Sequence, residues 1–73
     1  MELNKGFYLM RTIKVRDKKL RQDNFLKILD IAYNNENGNV IVEVKNMDDQ
    51  YINAMHFNSV AIWDRFFNKH VVS

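Results

Sequence analysis

The sequence has 73 residues, 47% of them hydrophobic, with no cysteine and a formal net charge of +2. This length allows one domain with one small core, and it excludes a protein with separate catalytic and binding domains. The absence of cysteine excludes disulfides and thiolate metal sites, so stability has to come from tight packing or from oligomerisation. We therefore expect a single domain over residues 1–73 that forms a homodimer or binds a partner.

The first predicted element is a strand over residues 7–16, where apolar and polar side chains alternate. Ile13 and Val15 lie on its apolar side, which Arg11 interrupts. The opposite side carries Tyr8, Met10, Thr12, Lys14 and Arg16. Because the side chains of a strand point alternately to the two faces of a sheet, we expect this second set to face away from the core.

A helix is predicted next, over residues 22–34. Four apolar side chains recur there at the spacing of one helix face: Phe25, Ile28, Leu29 and Ala32. The segment 34–38 is rich in asparagine and glycine, which tolerate positive φ and end helices. Val40, Val42 and Val44 then occupy every second position, which predicts another strand.

Residues 46–70 fit two structures. In the first, residues 51–57 form a third strand in which Ile52 and Ala54 join the face of the three valines, and a final helix begins at Asn58-Ser59. In the second, one long helix occupies the whole segment. We favour the first structure because three strands make a more stable layer than two. The sequence therefore predicts an α+β fold of order βαββα, with three strands and two helices on one face; the alternative is βαβα with a long C-terminal helix.

In the favoured fold, the second face of the sheet is too apolar and aromatic to be only a solvated surface. This face would carry Tyr8, Lys14 and Arg16 from the first strand and Tyr51 and Phe57 from the third. The predicted binding residues are Tyr8, Arg11, Lys14, Arg16, Lys18, Lys19, Arg21, Tyr51 and Phe57. Aromatic residues usually contribute most of the binding energy, whereas cations steer the encounter, so we expect Tyr8, Tyr51 and Phe57 to matter most.

Charge is segregated along the chain. Residues 1–21 hold seven basic side chains against two acidic ones, and residues 22–50 hold two basic against six acidic. This distribution suits an acidic protein, a nucleic acid, or self-association in which opposite ends meet. A solvated charged turn with no partner is the simpler alternative.

No pattern in the sequence predicts catalysis. Gly6 and Gly38 form no phosphate-binding loop, and His56 and His70 have no cysteine to complete a zinc site. We therefore expect a protein that is not an enzyme and that uses no metal and no cofactor. Because no signal peptide or membrane span is recognisable, we expect a cytoplasmic protein with no membrane partner. Ten asparagines and no proline are typical of AT-rich genomes, including those of many phages and other mobile elements.

These features favour a small regulator that binds another protein, as an inhibitor, an antitoxin or an accessory factor does. The surplus of apolar and aromatic residues in so short a chain supports this interpretation. The alternative is a nucleic-acid-binding protein whose basic residues contact phosphates and whose exposed aromatic residues stack on bases. The acidic middle segment and the modest net charge weigh against the alternative.

Overall fold

A computed structural model describes residues 3–73 as a four-stranded antiparallel sheet with two helices. The elements in chain order are α1 (Lys5–Tyr8), β1 (Thr12–Asp17), β2 (Gln22–Tyr33), β3 (Val40–Asn46), β4 (Ile52–Phe57) and α2 (Val60–His70). The strands lie in the order β1-β2-β3-β4, each antiparallel to the next. The α+β class is confirmed. The three-stranded βαββα order is wrong, and so is the alternative with a long C-terminal helix.

The predicted helix over residues 22–34 is instead the strand β2, which contains a β-bulge. Ile28 pairs with Val44 and Asp30 pairs with Glu43, so Leu29 is an extra residue without a cross-strand partner. The extra residue lengthens the spacing of buried side chains from two positions to three, and Ile28 and Ile31 are both fully buried. A three-residue step resembles the period of a helix, which explains the wrong prediction.

The first strand of the sheet begins later in the chain than the alternating pattern predicts. Lys5–Tyr8 form the short helix α1, Met10 adopts a positive φ of 66°, and β1 begins at Thr12. Two hydrogen bonds tie this connection to β2, from Met10 N to Ile28 O (2.8 Å) and from Ile28 N to Arg11 O (2.9 Å). The predicted first strand is therefore correct only in its second half.

The helix α2 begins close to where the sequence predicts it. The Ser59 side chain caps it by accepting a hydrogen bond of 3.1 Å from Ile62 N. Val60, Trp63 and Phe67 follow at helical spacing and are the buried residues of this helix. They pack on one face of the sheet, termed the covered face; the opposite face is termed the open face.

One cluster of buried side chains joins α1, α2 and the first three strands. Its members are Tyr8, Ile13, Ile28, Ile31, Val40, Val42, Val44, Val60, Trp63 and Phe67. Val15 and Phe66 are partly buried against this cluster. Three residues of the predicted helix face do not belong to it: Leu29 is half-buried at the bulge, and Phe25 and Ala32 are exposed. No helix within residues 3–73 has the length and apolar character needed to span a membrane.

The strand β4 pairs with β3 one residue away from the predicted register. Val42 lies opposite Met55 and Val44 opposite Asn53, where the sequence pattern predicts Ala54 and Ile52. Since neighbouring residues of a strand face opposite sides, this shift exchanges the two faces of β4. The side chains of Ile52, Ala54 and His56 lie on the open face, and those of Asn53, Met55 and Phe57 lie on the covered face.

Candidate binding surfaces at the hairpin end

The β1–β2 turn and the β3–β4 loop lie at the same end of the sheet because successive strands are antiparallel. Pairing of β2 with β1 continues to Gln22, whereas pairing of β2 with β3 ends at Leu26. The β1–β2 hairpin therefore extends beyond the other two strands. This region, residues 14–27 and 44–53, is termed the hairpin end.

A carboxylate shapes the basic turn at the tip of the hairpin. Asp17 Oδ1 accepts hydrogen bonds from Lys19 N (2.9 Å) and Leu20 N (3.1 Å), and Arg21 adopts a positive φ of 53°. Lys18, Lys19 and Arg21 are exposed, and none of them forms an ion pair within residues 3–73. The turn thus presents three solvated cations on a defined backbone.

The open face of the hairpin end combines cations with an exposed aromatic ring. Lys14 and Arg16 lie on this face as predicted, and Arg16 Nη1 is 3.5 Å from Asp23 Oδ1. Phe25 lies directly opposite Lys14 and is 41% exposed. The aromatic residue beside these cations is therefore Phe25, and not Tyr8 or Tyr51 as the sequence predicts.

Two further lysines, which are not among the predicted binding residues, complete this surface. Lys27 and Lys45 lie directly opposite each other on the open face of β2 and β3. Like charges in this position repel, and neither lysine forms an ion pair in the described part of the chain. Lys14, Arg16, Phe25, Lys27 and Lys45 are together termed the basic patch. Reading residues 22–28 with the period of a strand would place Phe25 and Lys27 on this face.

The covered face of the hairpin end contains a groove, because α2 covers only part of the sheet. Its volume is about 260 Å³, and its lining residues are Asn24, Leu26, Val44, Asn46, Tyr51, Asn53 and Met55. Tyr51 is 65% exposed. Asn46 Oδ1 accepts a hydrogen bond of 2.9 Å from Asp48 N, which fixes the β3–β4 loop beside the groove. The groove therefore offers apolar side chains and carboxamide groups together.

A wider depression of about 620 Å³ lies at the opposite end of the sheet, beside the β2–β3 turn. It is lined mainly by turn residues, and Asn34 Oδ1 in this turn accepts a hydrogen bond of 2.9 Å from Glu36 N. The Asn34 side chain thus stabilises the β2–β3 turn through this hydrogen bond. The depression brings together none of the predicted binding residues.

Tyr8, the first of the predicted binding residues, lies in the core. It is only 6% exposed, and its ring contacts those of Trp63 and Phe67 edge to face. Its hydroxyl donates a hydrogen bond of 2.6 Å to Asp64 Oδ1. Burial, this hydrogen bond and the charge of Asp64 raise the pKa of Tyr8 to about 12. Its ring is not available to a partner.

Arg11 and Phe57 likewise pack against α2 rather than beside the basic turn. The Arg11 guanidinium lies over the rings of Phe7 and Phe67, at 5.3 and 5.2 Å from their centres. Arg11 Nε also donates a hydrogen bond of 2.8 Å to Ser73 O. Phe57 is half-buried against Trp63 and Phe66. Of the predicted aromatic binding residues, Tyr51 alone is exposed at the hairpin end.

The hairpin end thus presents cations and an aromatic ring on its open face and a groove on its covered face. Within residues 3–73, no three His, Cys, Asp or Glu side chains lie together in a group that could hold a metal ion. Comparison of the chain with protein-family models, with curated proteins and with solved structures finds no match.

Proposed function

We propose that the protein is a non-enzymatic regulator, of the inhibitor, antitoxin or accessory-factor type, that binds another protein through the groove of the covered face. One observation carries this proposal: α2 leaves the groove uncovered, so Leu26, Met55 and the 65% exposed Tyr51 line a concave surface open to solvent. Aromatic residues and methionine are enriched in the buried centres of protein interfaces.

The remaining groups that line the groove suit a peptide segment of the partner. The carboxamides of Asn24, Asn46 and Asn53 can donate to and accept from the backbone of such a segment. The cations of the basic turn lie at the same end of the molecule, where they would attract an acidic partner and speed its association. In this proposal Tyr51 is the anchor and the basic turn is the steering element.

A second function is supported by the basic patch on the open face. Lys27 and Lys45 form no ion pair within residues 3–73, and an anion between them would relieve their repulsion; Phe25 is exposed beside Lys14. Single-stranded nucleic acids bind to surfaces of this kind, with phosphates at the cations and bases stacked on the aromatic ring. The protein would then bind nucleic acid through Phe25 and not through Tyr51.

Because the two functions use opposite faces, one pair of variants separates them. Tyr51→Ala alters the groove and Phe25→Ala alters the basic patch; both side chains are exposed, so circular dichroism should show that both variants fold. We expect Tyr51→Ala to weaken binding of a protein captured from nuclease-treated host lysate by about 30-fold, which corresponds to roughly 2 kcal/mol. Phe25→Ala should leave this binding unchanged.

Replacing Lys18, Lys19 and Arg21 together by glutamine should slow association severalfold and leave dissociation nearly unchanged. A larger loss of affinity from this charge variant than from Tyr51→Ala would contradict the role of Tyr51 as anchor. Binding of a fluorescent single-stranded oligonucleotide that is lost in Phe25→Ala, together with no captured protein, would favour the second function.

A further inference from the structure

The two edges of the sheet differ in how they are protected. Along the outer edge of β1, Val71 forms a bridge with Ile13, and Val72 N donates a hydrogen bond of 2.9 Å to Thr12 O. His70 Nδ1 lies 3.1 Å from Lys14 O on the same edge. At the other edge, β4 is the last strand of the sheet, and no further strand of residues 3–73 pairs with it.

The backbone of β4 presents hydrogen-bonding groups at this edge. The hydrogen bond from Asn46 N to Tyr51 O (2.8 Å) shows that the backbone groups of Tyr51 point towards β3. In an antiparallel pair the same holds for every second residue that follows along β4. The N–H and C=O groups of Ile52, Ala54 and His56 therefore point away from the sheet. One of these donors, Ala54 N, has a local acceptor in Asn53 Oδ1 at 2.9 Å.

The sequence of β4 lacks the features that usually prevent pairing at an exposed edge. Its six residues, INAMHF, include no proline, lysine, arginine, aspartate or glutamate. By contrast, the paired edge strand β1 carries Lys14, Arg16 and Asp17. A strand that is free of formal charge can lie antiparallel to a copy of itself without placing like charges opposite each other.

We infer that a second copy of this chain pairs with β4 in an antiparallel arrangement, about a twofold axis that passes beside Ala54. In this register Ala54 lies opposite its counterpart, and Ile52 lies opposite His56 of the second copy. The outward backbone groups of both strands then pair, and the sheets of the two copies become continuous. The hydrogen bond from Ala54 N to Asn53 Oδ1 is replaced by one across the interface.

The positions of the charged turns suit a second copy as the occupant of this edge. An antiparallel pair places the β2–β3 turn of each copy, where Glu36 is exposed, at the same end of the assembly as the basic turn of the other copy. The two basic turns are kept at diagonally opposite corners of the assembly. Their mutual repulsion is thereby screened by distance and solvent.

The experiment measures mass and dissociation constant by sedimentation for the parent and three variants. The parent should show twice the chain mass of 8.8 kDa at micromolar concentration. Ala54→Lys and Ala54→Glu each place like charges across the axis. Because Glu43 lies directly opposite residue 54 on β3 and partly compensates a lysine there, Ala54→Glu should raise the dissociation constant roughly fivefold or more and Ala54→Lys by less. An equimolar mixture of these two variants should dimerise more tightly than either alone, since opposite charges then meet.

Ala32→Lys is the matched control, because Ala32 is also an exposed alanine on the open face but belongs to an inner strand. It should leave dimerisation unchanged. A parent that stays monomeric at several concentrations, or an Ala54→Glu variant that dimerises like the parent, would overturn the inference. If the mixture fails to restore tight pairing, the axis does not lie beside Ala54. This inference does not rest on the groove, since Ala54 lies on the open face.

Discussion

The phenol of Tyr8 links the stability of the fold to pH. In the folded protein its pKa is raised from 10 to about 12, first by burial and then by the hydrogen bond and charge of Asp64. In the unfolded chain the phenol should titrate near its ordinary value. The resulting stabilisation is therefore complete below about pH 10, and it is lost as the pH rises towards the folded pKa.

We expect Tyr8→Phe to cost about 1 to 2 kcal/mol at neutral pH, since the buried hydrogen bond to a carboxylate is lost. The difference in unfolding free energy between parent and variant should then shift by roughly 2 to 3 kcal/mol between about pH 10 and 12, in favour of the variant. Urea unfolding at several pH values measures this difference. Parallel pH profiles of parent and variant would contradict the proposed environment of the phenol.

The bulge in β2 lets one strand place Leu26, Ile28 and Ile31 on the same face of the sheet. Without the extra residue, positions 28 and 31 of a regular strand would face opposite sides. The half-buried Leu29 is the residue that β3 does not pair. The bulge is stabilised locally, because Asp30 Oδ1 accepts a hydrogen bond of 2.8 Å from Ile31 N.

Deleting Leu29 should convert β2 into a regular strand that keeps Ile28 opposite Val44 and Ile31 opposite Val42. We expect this deletion to lower the free energy of unfolding by only about 1 to 2 kcal/mol. The matched control is deletion of Glu43, which puts Val42 and Val44 on opposite faces and should unfold the protein. Thermal unfolding monitored by circular dichroism compares the stabilities of the two deletion variants. Similar losses for both deletions would contradict the bulge.

Aromatic contacts connect elements of the fold that are distant in the sequence. Trp63 is fully buried, and its ring contacts Tyr8 of α1 at 5.3 Å, Phe57 of β4 at 5.1 Å and Phe67 of α2 at 5.8 Å between centres. Each such pair contributes about 0.5 to 1.5 kcal/mol beyond its buried area. The helices and the sheet are thus expected to unfold together.

The single tryptophan makes this cooperativity measurable. We expect the fluorescence of Trp63 and the far-ultraviolet circular dichroism to give one coincident transition in urea at a fixed protein concentration. The concentration must be fixed because dimerisation would add to the apparent stability. If the fluorescence change preceded the loss of secondary structure, α2 would be separating from a sheet that persists on its own.

The α+β class, the second half of β1, the strand β3 and the start of α2 were predictable from the sequence. Each has a local signal: alternating residues mark the strands, and Ser59 followed by apolar residues at helical spacing marks the helix. The exposed cations Lys18, Lys19 and Arg21 were predictable for the same reason, since turn residues are solvated in almost any fold.

The identity of β2 and the faces of β4 depend on pairing between distant segments, and no local pattern specifies them. A bulge changes the spacing of buried residues to one that also fits a helix, so the sequence of β2 is ambiguous without its partner β3. A shift of one residue in register exchanges the faces of a strand, so the sequence alone misplaced Tyr51 and Phe57. The same pairing brought Phe25, Lys27 and Lys45 into one patch. The composition of the candidate surfaces was thus set by contacts across strands, because register determines which side chains become neighbours.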